Sequence, residues 1–136
     1  MLRYKVVATI ALLVSSFLLV LPRIIPICTG LTPAGEPMRC HYAFQSEFFI
    51  ALLAVIISLG LFVIKTYEAR ALSGLLLGML GAIVIILPQP WAIGICEPGG
   101  ICHKTAYYGS IAGSVLILAA AAAIVISHKI QGSSER

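Results

Sequence analysis

The sequence predicts an all-α integral membrane protein whose four transmembrane helices form two similar helical hairpins. Composition is the first reason, because 60% of the 136 residues are hydrophobic and 10% are charged, whereas soluble domains carry about 25% charged residues. The second reason is the order of four apolar runs, which polar segments separate. The third is that each half of the chain places two cysteines between its two apolar runs. We therefore expect a single domain over residues 1–136, surrounded by the lipid bilayer.

The two halves of the chain follow one design. In each, an apolar run ends in Leu-Pro, at Pro22 and at Pro88. An Ile-Cys pair, a loop with Pro and Gly, a Cys-His pair and a second apolar run then follow in the same order. This internal repeat predicts one hairpin over residues 1–68, a second over residues 69–130 and a polar tail over residues 131–136.

Four spans are predicted near residues 6–23, 46–66, 70–88 and 106–128, each close to the ~20 residues that cross about 30 Å of hydrocarbon. The polar segment of residues 23–45 shows no helical periodicity and predicts an irregular loop. The second cysteine loop is expected over residues 88–106. A basic start before an apolar run is also typical of a signal peptide. No small-residue cleavage site follows the first run, so we expect an uncleaved span.

The distribution of basic residues predicts the orientation of the bundle in the cell membrane. Six Lys and Arg residues are expected on the side of both termini and three on the side of the cysteine loops. The six are Arg3, Lys5, Lys65, Arg70, Lys129 and Arg136; the three are Arg23, Arg39 and Lys104. Because short cytoplasmic loops carry an excess of Lys and Arg, both termini are predicted to be cytoplasmic and the cysteine loops extracytoplasmic. Scattered basic residues also argue against nucleic-acid binding.

The chain has four cysteines, which allow three disulfide pairings. They are Cys28, Cys40, Cys96 and Cys102. The repeat favours one bridge within each loop, and an extracytoplasmic position lets such bridges persist. Closing a loop this short stabilises the fold by about 2–3 kcal/mol. The alternative is a thiol–disulfide oxidoreductase, which prefers a Cys-x-x-Cys spacing that neither pair has.

Three segments of the sequence resemble a known family. Arg39-Cys40-His41-Tyr42, Gln45-Ser46-Glu47, and the stretch from Ile93-Gly94-Ile95-Cys96 to Cys102 resemble the domain-of-unknown-function family 4418, a group of small four-span prokaryotic membrane proteins. The resemblance covers nearly the whole chain. It implies the fold and the topology, and the family carries no established activity to transfer.

Two histidines are candidate metal ligands. His41 and His103 each follow the second cysteine of their loop. If a pseudo-twofold axis relates the halves, the two imidazoles lie at equivalent depths and can hold haem b or copper, with Met38 as an auxiliary ligand. The alternative is that both are structural groups at helix ends and that no cofactor binds. The unequal loop lengths and Lys104 beside His103 favour the structural interpretation.

Small residues predict where the helices touch. The third run contains Gly74, Gly78 and Gly81, and the fourth contains Gly109 and Gly113, followed by five alanines at residues 119–123. In lipid, such residues let helix backbones approach closely. The second hairpin is therefore expected to be the more tightly packed of the two.

No ionisable residue lies in the middle of any of the four apolar runs. Glu47 is interpreted as a carboxylate at the start of the second helix, where the helix dipole stabilises it by about 0.3–1 kcal/mol. Because charges within the membrane mark ion and proton pathways, their absence argues against a transporter or pump that acts alone. The sequence also shows no nucleophile–base pair for an intramembrane hydrolase.

These observations leave three hypotheses for the function. The first is a non-enzymatic accessory or structural subunit of a larger envelope complex, such as an exporter, which packs against another membrane protein or against a second copy of itself. The second is a haem- or copper-binding redox protein that uses His41 and His103. The third is the extracytoplasmic thiol–disulfide oxidoreductase.

Overall fold

The computed structural model contains four α-helices among its described residues and no strand there. The backbone is described for residues 2–25, 35, 39–94 and 101–134, and the side chains for residues 4–25, 35, 41–94 and 103–129. The helices are α1 (Leu2–Ile24), α2 (Arg39–Val63), α3 (Tyr67–Ile86) and α4 (Ile101–Ser134). Each contains an apolar stretch long enough to cross a membrane. The prediction of an all-α, four-span protein is confirmed.

The helices form an up-down bundle. α1 packs against α2 and α4, and α3 packs against the same two helices, so α1 faces α3 and α2 faces α4 across the diagonals. One end of the bundle, the termini end, holds the start of α1, the α2–α3 link and the end of α4. The opposite end, the loop end, holds the end of α1, the starts of α2 and α4, and the end of α3. The core continues through the bundle, from Tyr4 and Ala123 to Leu21 and Ala112.

All four helices begin earlier than hydropathy predicts, and α2 and α4 differ the most. α2 begins at Arg39 instead of near residue 46, and α4 begins at Ile101 instead of near residue 106. The expectation of a loop is therefore wrong for residues 39–45 and 101–105, which are helical. The reason is that hydropathy reports the apolar part of a helix, whereas backbone hydrogen bonding also continues through polar residues. Both early turns lack Gly and Pro, the residues that most often interrupt a helix.

The closest approach between helices lies between α3 and α4. A Cβ atom built on Gly81 would lie 2.8 Å from the carbonyl oxygen of Gly113, and one built on Gly113 would lie 2.8 Å from that of Gly81. Further along the same interface, a Cβ on Gly74 would lie 3.0 Å from Cγ1 of Ile124. Only glycine permits the backbones to come this close. α3 and α4 also form the most extensive helix pair.

The α1–α2 pair is held by alanines and two buried serines. The hydroxyls of Ser15 and Ser58 lie 3.4 Å apart in the core, and the Ser15 hydroxyl also donates a hydrogen bond of 2.8 Å to the carbonyl of Ala11. Ala11 and Ala54 are fully buried beside them. The two hairpins therefore use different contacts, glycine against glycine in the second and hydroxyl against hydroxyl in the first.

Candidate functional site

Glu47 is buried inside the bundle at the loop end. Because α2 begins at Arg39, Glu47 lies eight residues into the helix, and only 7% of its surface is exposed. The interpretation of Glu47 as a carboxylate at the helix start is wrong. Glu47 lies within the apolar stretch His41–Val63, in the third of it that is nearest the loop end.

The carboxyl group of Glu47 adjoins a small cavity. Its Oε1 atom is buried and has no hydrogen-bond partner among the described residues. The cavity measures about 10 Å³, which is close to the lower limit for one water molecule. Besides Glu47, it is lined by Ala43, Phe44, Val84, Leu87, Pro88, Ala106 and Gly109. The described lining therefore contains no cationic side chain that would pair with the carboxyl group.

Gly109 of α4 makes the room for this carboxyl group. A Cβ atom at position 109 would lie 3.1 Å from Oε1 of Glu47, which is tighter than most real contacts of that kind. Glu47 thus reaches across the diagonal of the bundle, from α2 to α4. Gly109 therefore contacts Glu47 of α2, whereas Gly113 contacts Gly81 of α3.

A second polar group without a partner lies near this level of α4. Thr105 is completely buried, and its hydroxyl has no hydrogen-bond partner among the described residues. It lies four residues before Gly109, so the two share one face of the helix. Thr105 could not be identified from the sequence, because it lies in a segment that was predicted to be a loop.

The two histidines considered as candidate metal ligands lie in the first turns of α2 and α4. His41 is exposed and packs edge-on against Tyr42, with ring centroids 5.9 Å apart. His103 is also exposed and lies beside an open groove. Among the described residues, no group of three or more His, Cys, Asp or Glu side chains comes together. Met38 lies outside the described residues, and haem or copper binding stays the alternative to the structural interpretation.

The predicted disulfides lie outside what the structure describes. Cys28 and Cys96 are not among the described residues, and Cys40 and Cys102 are described only as backbone in the first turns of α2 and α4. The pairing of Cys28 with Cys40 and of Cys96 with Cys102 therefore stays a prediction.

A polar cluster that the sequence did not predict joins the helices at the termini end. The guanidinium of Arg70 lies 4.3 Å from the centroid of the Tyr4 ring, and its Nε donates a hydrogen bond of 3.0 Å to the carbonyl of Ile64. The Tyr67 hydroxyl lies 2.7 Å from Nδ1 of His128. These contacts connect the starts of α1 and α3, the α2–α3 link and the end of α4.

Comparison with known proteins adds a family and no activity. Residues 7–127 match the family described as "Domain of unknown function (DUF4418)". No curated protein and no solved structure matches the chain. Inference about function therefore rests on the bundle itself.

Proposed function

Since the chain belongs to the DUF4418 family, whose description names no activity, we propose a function from the character of its bundle. We infer a non-enzymatic, multi-pass protein of the cell membrane that acts as an accessory or structural subunit of a larger envelope complex. An exporter is one such complex.

The composition of the core carries this proposal. Small and aliphatic side chains fill most of the described core, with Tyr4, Phe44, Glu47 and Thr105 as the exceptions, and its buried serines contact the helices. Ser15 and Ser127 donate hydrogen bonds to the carbonyls of Ala11 and Ala123, and Ser58 lies against Ser15. No described base activates any of these hydroxyls as a nucleophile. Such a core supports a role in packing and positioning more than one in chemistry.

The outer faces of α2 and α3 supply apolar surface for lipid or for a partner. Both helices expose large apolar side chains over most of their length. These include Phe49, Leu53, Ile56, Phe62, Leu72, Leu75, Met79 and Ile86. In the proposed complex, part of this surface packs against another membrane protein or a second copy of the chain, and lipid covers the rest.

The proposed orientation places both termini in the cytoplasm. In the sequence, six Lys and Arg residues belong to the termini end and three belong to the loop end. Short cytoplasmic segments carry such an excess of positive residues. A membrane-impermeant maleimide applied to intact cells should therefore label the cysteines, and only after reduction. If the cysteines are labelled only when the reagent has access from the cytoplasmic side, the orientation is the opposite of the one proposed. Labelling without reduction would contradict the predicted disulfides.

Native gel electrophoresis tests the subunit role. In membranes solubilised gently, the chain should migrate at a larger mass than the purified chain in the same detergent, and cross-linking should connect it to one partner in fixed stoichiometry. Migration identical to that of the purified chain would contradict the proposal. Cross-linked products that contain only copies of this chain would show that it forms a homo-oligomer and is not an accessory subunit.

Visible absorption tests the redox alternative on the same material. The proposal expects no Soret band and no stoichiometric copper. A Soret band or bound copper that both His41→Ala and His103→Ala remove would establish the alternative. His128→Ala is the matched control, because His128 lies at the opposite end of the bundle beside Tyr67.

A further inference from the structure

We propose that Glu47 is a buried proton-binding site, in which a protonated carboxyl group and one water molecule occupy the space between α2, α3 and α4. This site goes beyond the proposed subunit role and does not depend on it. Burial, cavity size and the absence of a counter-charge in the described lining carry the inference together.

The surroundings of Glu47 favour a neutral carboxyl group. The side chain is more than nine-tenths buried, and its Oε1 has no partner among the described residues. An isolated carboxylate is very costly to bury, whereas a protonated one costs far less. Ionisable groups within membrane spans are rare and commonly mark ion or proton binding.

The size and composition of the cavity select the proton over a metal ion. The cavity measures about 10 Å³, close to the space of one water. Calcium needs six to eight oxygen ligands, and magnesium needs six in octahedral geometry. Among the described lining residues, only Glu47 offers a side-chain oxygen. A proton needs a single carboxyl oxygen, and the water accepts the hydrogen bond that the protonated group donates.

Among the residues whose side chains are described, the other titratable groups at the loop end lie outside the cavity lining. On α2 these are His41 and Tyr42, on α4 they are His103, Lys104, Tyr107 and Tyr108, and on α1 it is Arg23. All seven are exposed. α3 contributes Val84 to the described lining, and Leu87 and Pro88 directly follow the end of that helix. Protonation of Glu47 is therefore governed by its own burial more than by a neighbouring charge.

Loss of the proton would change the packing at the loop end. An unpaired negative charge would then lie against Gly109 and the apolar lining, and it would draw water into the α2–α4 contact. The site thus couples the proton concentration at the loop end to the spacing of α2 and α4.

Labelling with dicyclohexylcarbodiimide tests the site in the full-length chain, reconstituted in phosphatidylethanolamine–phosphatidylglycerol vesicles. This apolar reagent reacts with protonated carboxyl groups: the acid proton moves to a carbodiimide nitrogen, and the carboxyl oxygen bonds to the central carbon. Mass spectrometry should locate the adduct on Glu47. Above the midpoint of titration, labelling should fall about tenfold for each pH unit. The other four glutamates, Glu36, Glu68, Glu97 and Glu135, serve as internal references.

Two substitutions sharpen the test. Glu47→Gln should abolish the adduct while circular dichroism shows unchanged helix content. Gly109→Ala should lower labelling several-fold, because its Cβ would fill the space 3.1 Å from Oε1. Gly60→Ala is the matched control, since a Cβ there would meet only Ile64, at 3.8 Å.

The proposal is overturned if Glu47 is not labelled, or if its labelling does not depend on pH. Protection by sodium ions at constant pH would assign a cation site instead of a proton site. The pH profile of the unsubstituted chain decides the matter even if a variant does not fold.

Discussion

Gly81→Ala is expected to destabilise the bundle by about 1–3 kcal/mol, the usual effect of overpacking a closed interface. The added Cβ would lie 2.8 Å from the carbonyl oxygen of Gly113 and 3.1 Å from Cγ1 of Ile117. Since the first of these is a backbone atom, no side-chain rotation relieves the clash, and α3 must move away from α4. The thermal unfolding midpoint of the purified protein in detergent measures the loss.

Three other glycine substitutions complete the experiment. Gly113→Ala should resemble Gly81→Ala, because its Cβ would lie 2.8 Å from the carbonyl oxygen of Gly81. Gly78→Ala should cost less, since its Cβ would make an ordinary contact of 3.4 Å with Ala120. Gly60→Ala should be neutral or stabilising, because alanine favours a helix over glycine by about 0.5–1 kcal/mol. Equal midpoints for Gly60→Ala and Gly81→Ala would mean that α3 and α4 do not meet at Gly81.

Hydropathy was sufficient to predict the four spans, because the membrane requires long apolar helices whatever their tertiary contacts. It was insufficient for the helix starts. The seven residues from Arg39 to Gln45 are helical, yet their polar character resembles that of a loop. A helix that emerges from the hydrocarbon has no hydropathy signal at its first turns, and only backbone hydrogen bonding defines where it begins.

Because the predicted start of α2 was seven residues too late, Glu47 was not identified from the sequence as a candidate site residue. With a helix beginning near residue 46, Glu47 belongs to the first turn and the helix dipole explains it. With a helix beginning at Arg39, the same residue lies inside the bundle. Helical spacing from a correct start would still not have found Gly109, since that contact joins α2 to the diagonal helix α4.

The glycine pattern predicted which face of a helix forms close contacts, but not which neighbouring helix that face contacts. Spacing of four residues places Gly74 and Gly78 on one face of α3, where they meet Ala120 and Ile124 of α4. The same spacing places Gly109 and Gly113 on one face of α4, but these two approach different helices. A sequence pattern defines a face, whereas the partner at each level depends on the tilt and rotation of the helices.

Leu116→Ala is expected to destabilise the bundle by about 2–5 kcal/mol, the usual cost of removing a buried leucine. Leu116 is completely buried in the core cluster with Leu77, Ala119 and Ala120. Lipid is as apolar as this core, so the loss comes from packing: the atoms around the new cavity lose their van der Waals contacts. Chemical or thermal unfolding in detergent micelles measures the change.

Leu118→Ala provides the matched control on the same helix. Leu118 is 69% exposed, and its removal exchanges one apolar contact with lipid for another, so the expected change lies within about 0.5 kcal/mol. The two positions lie about 200° apart around α4. Equal losses in the two variants would therefore mean that α4 presents a different face to the core, and a larger loss for Leu118→Ala would mean that a partner subunit covers it.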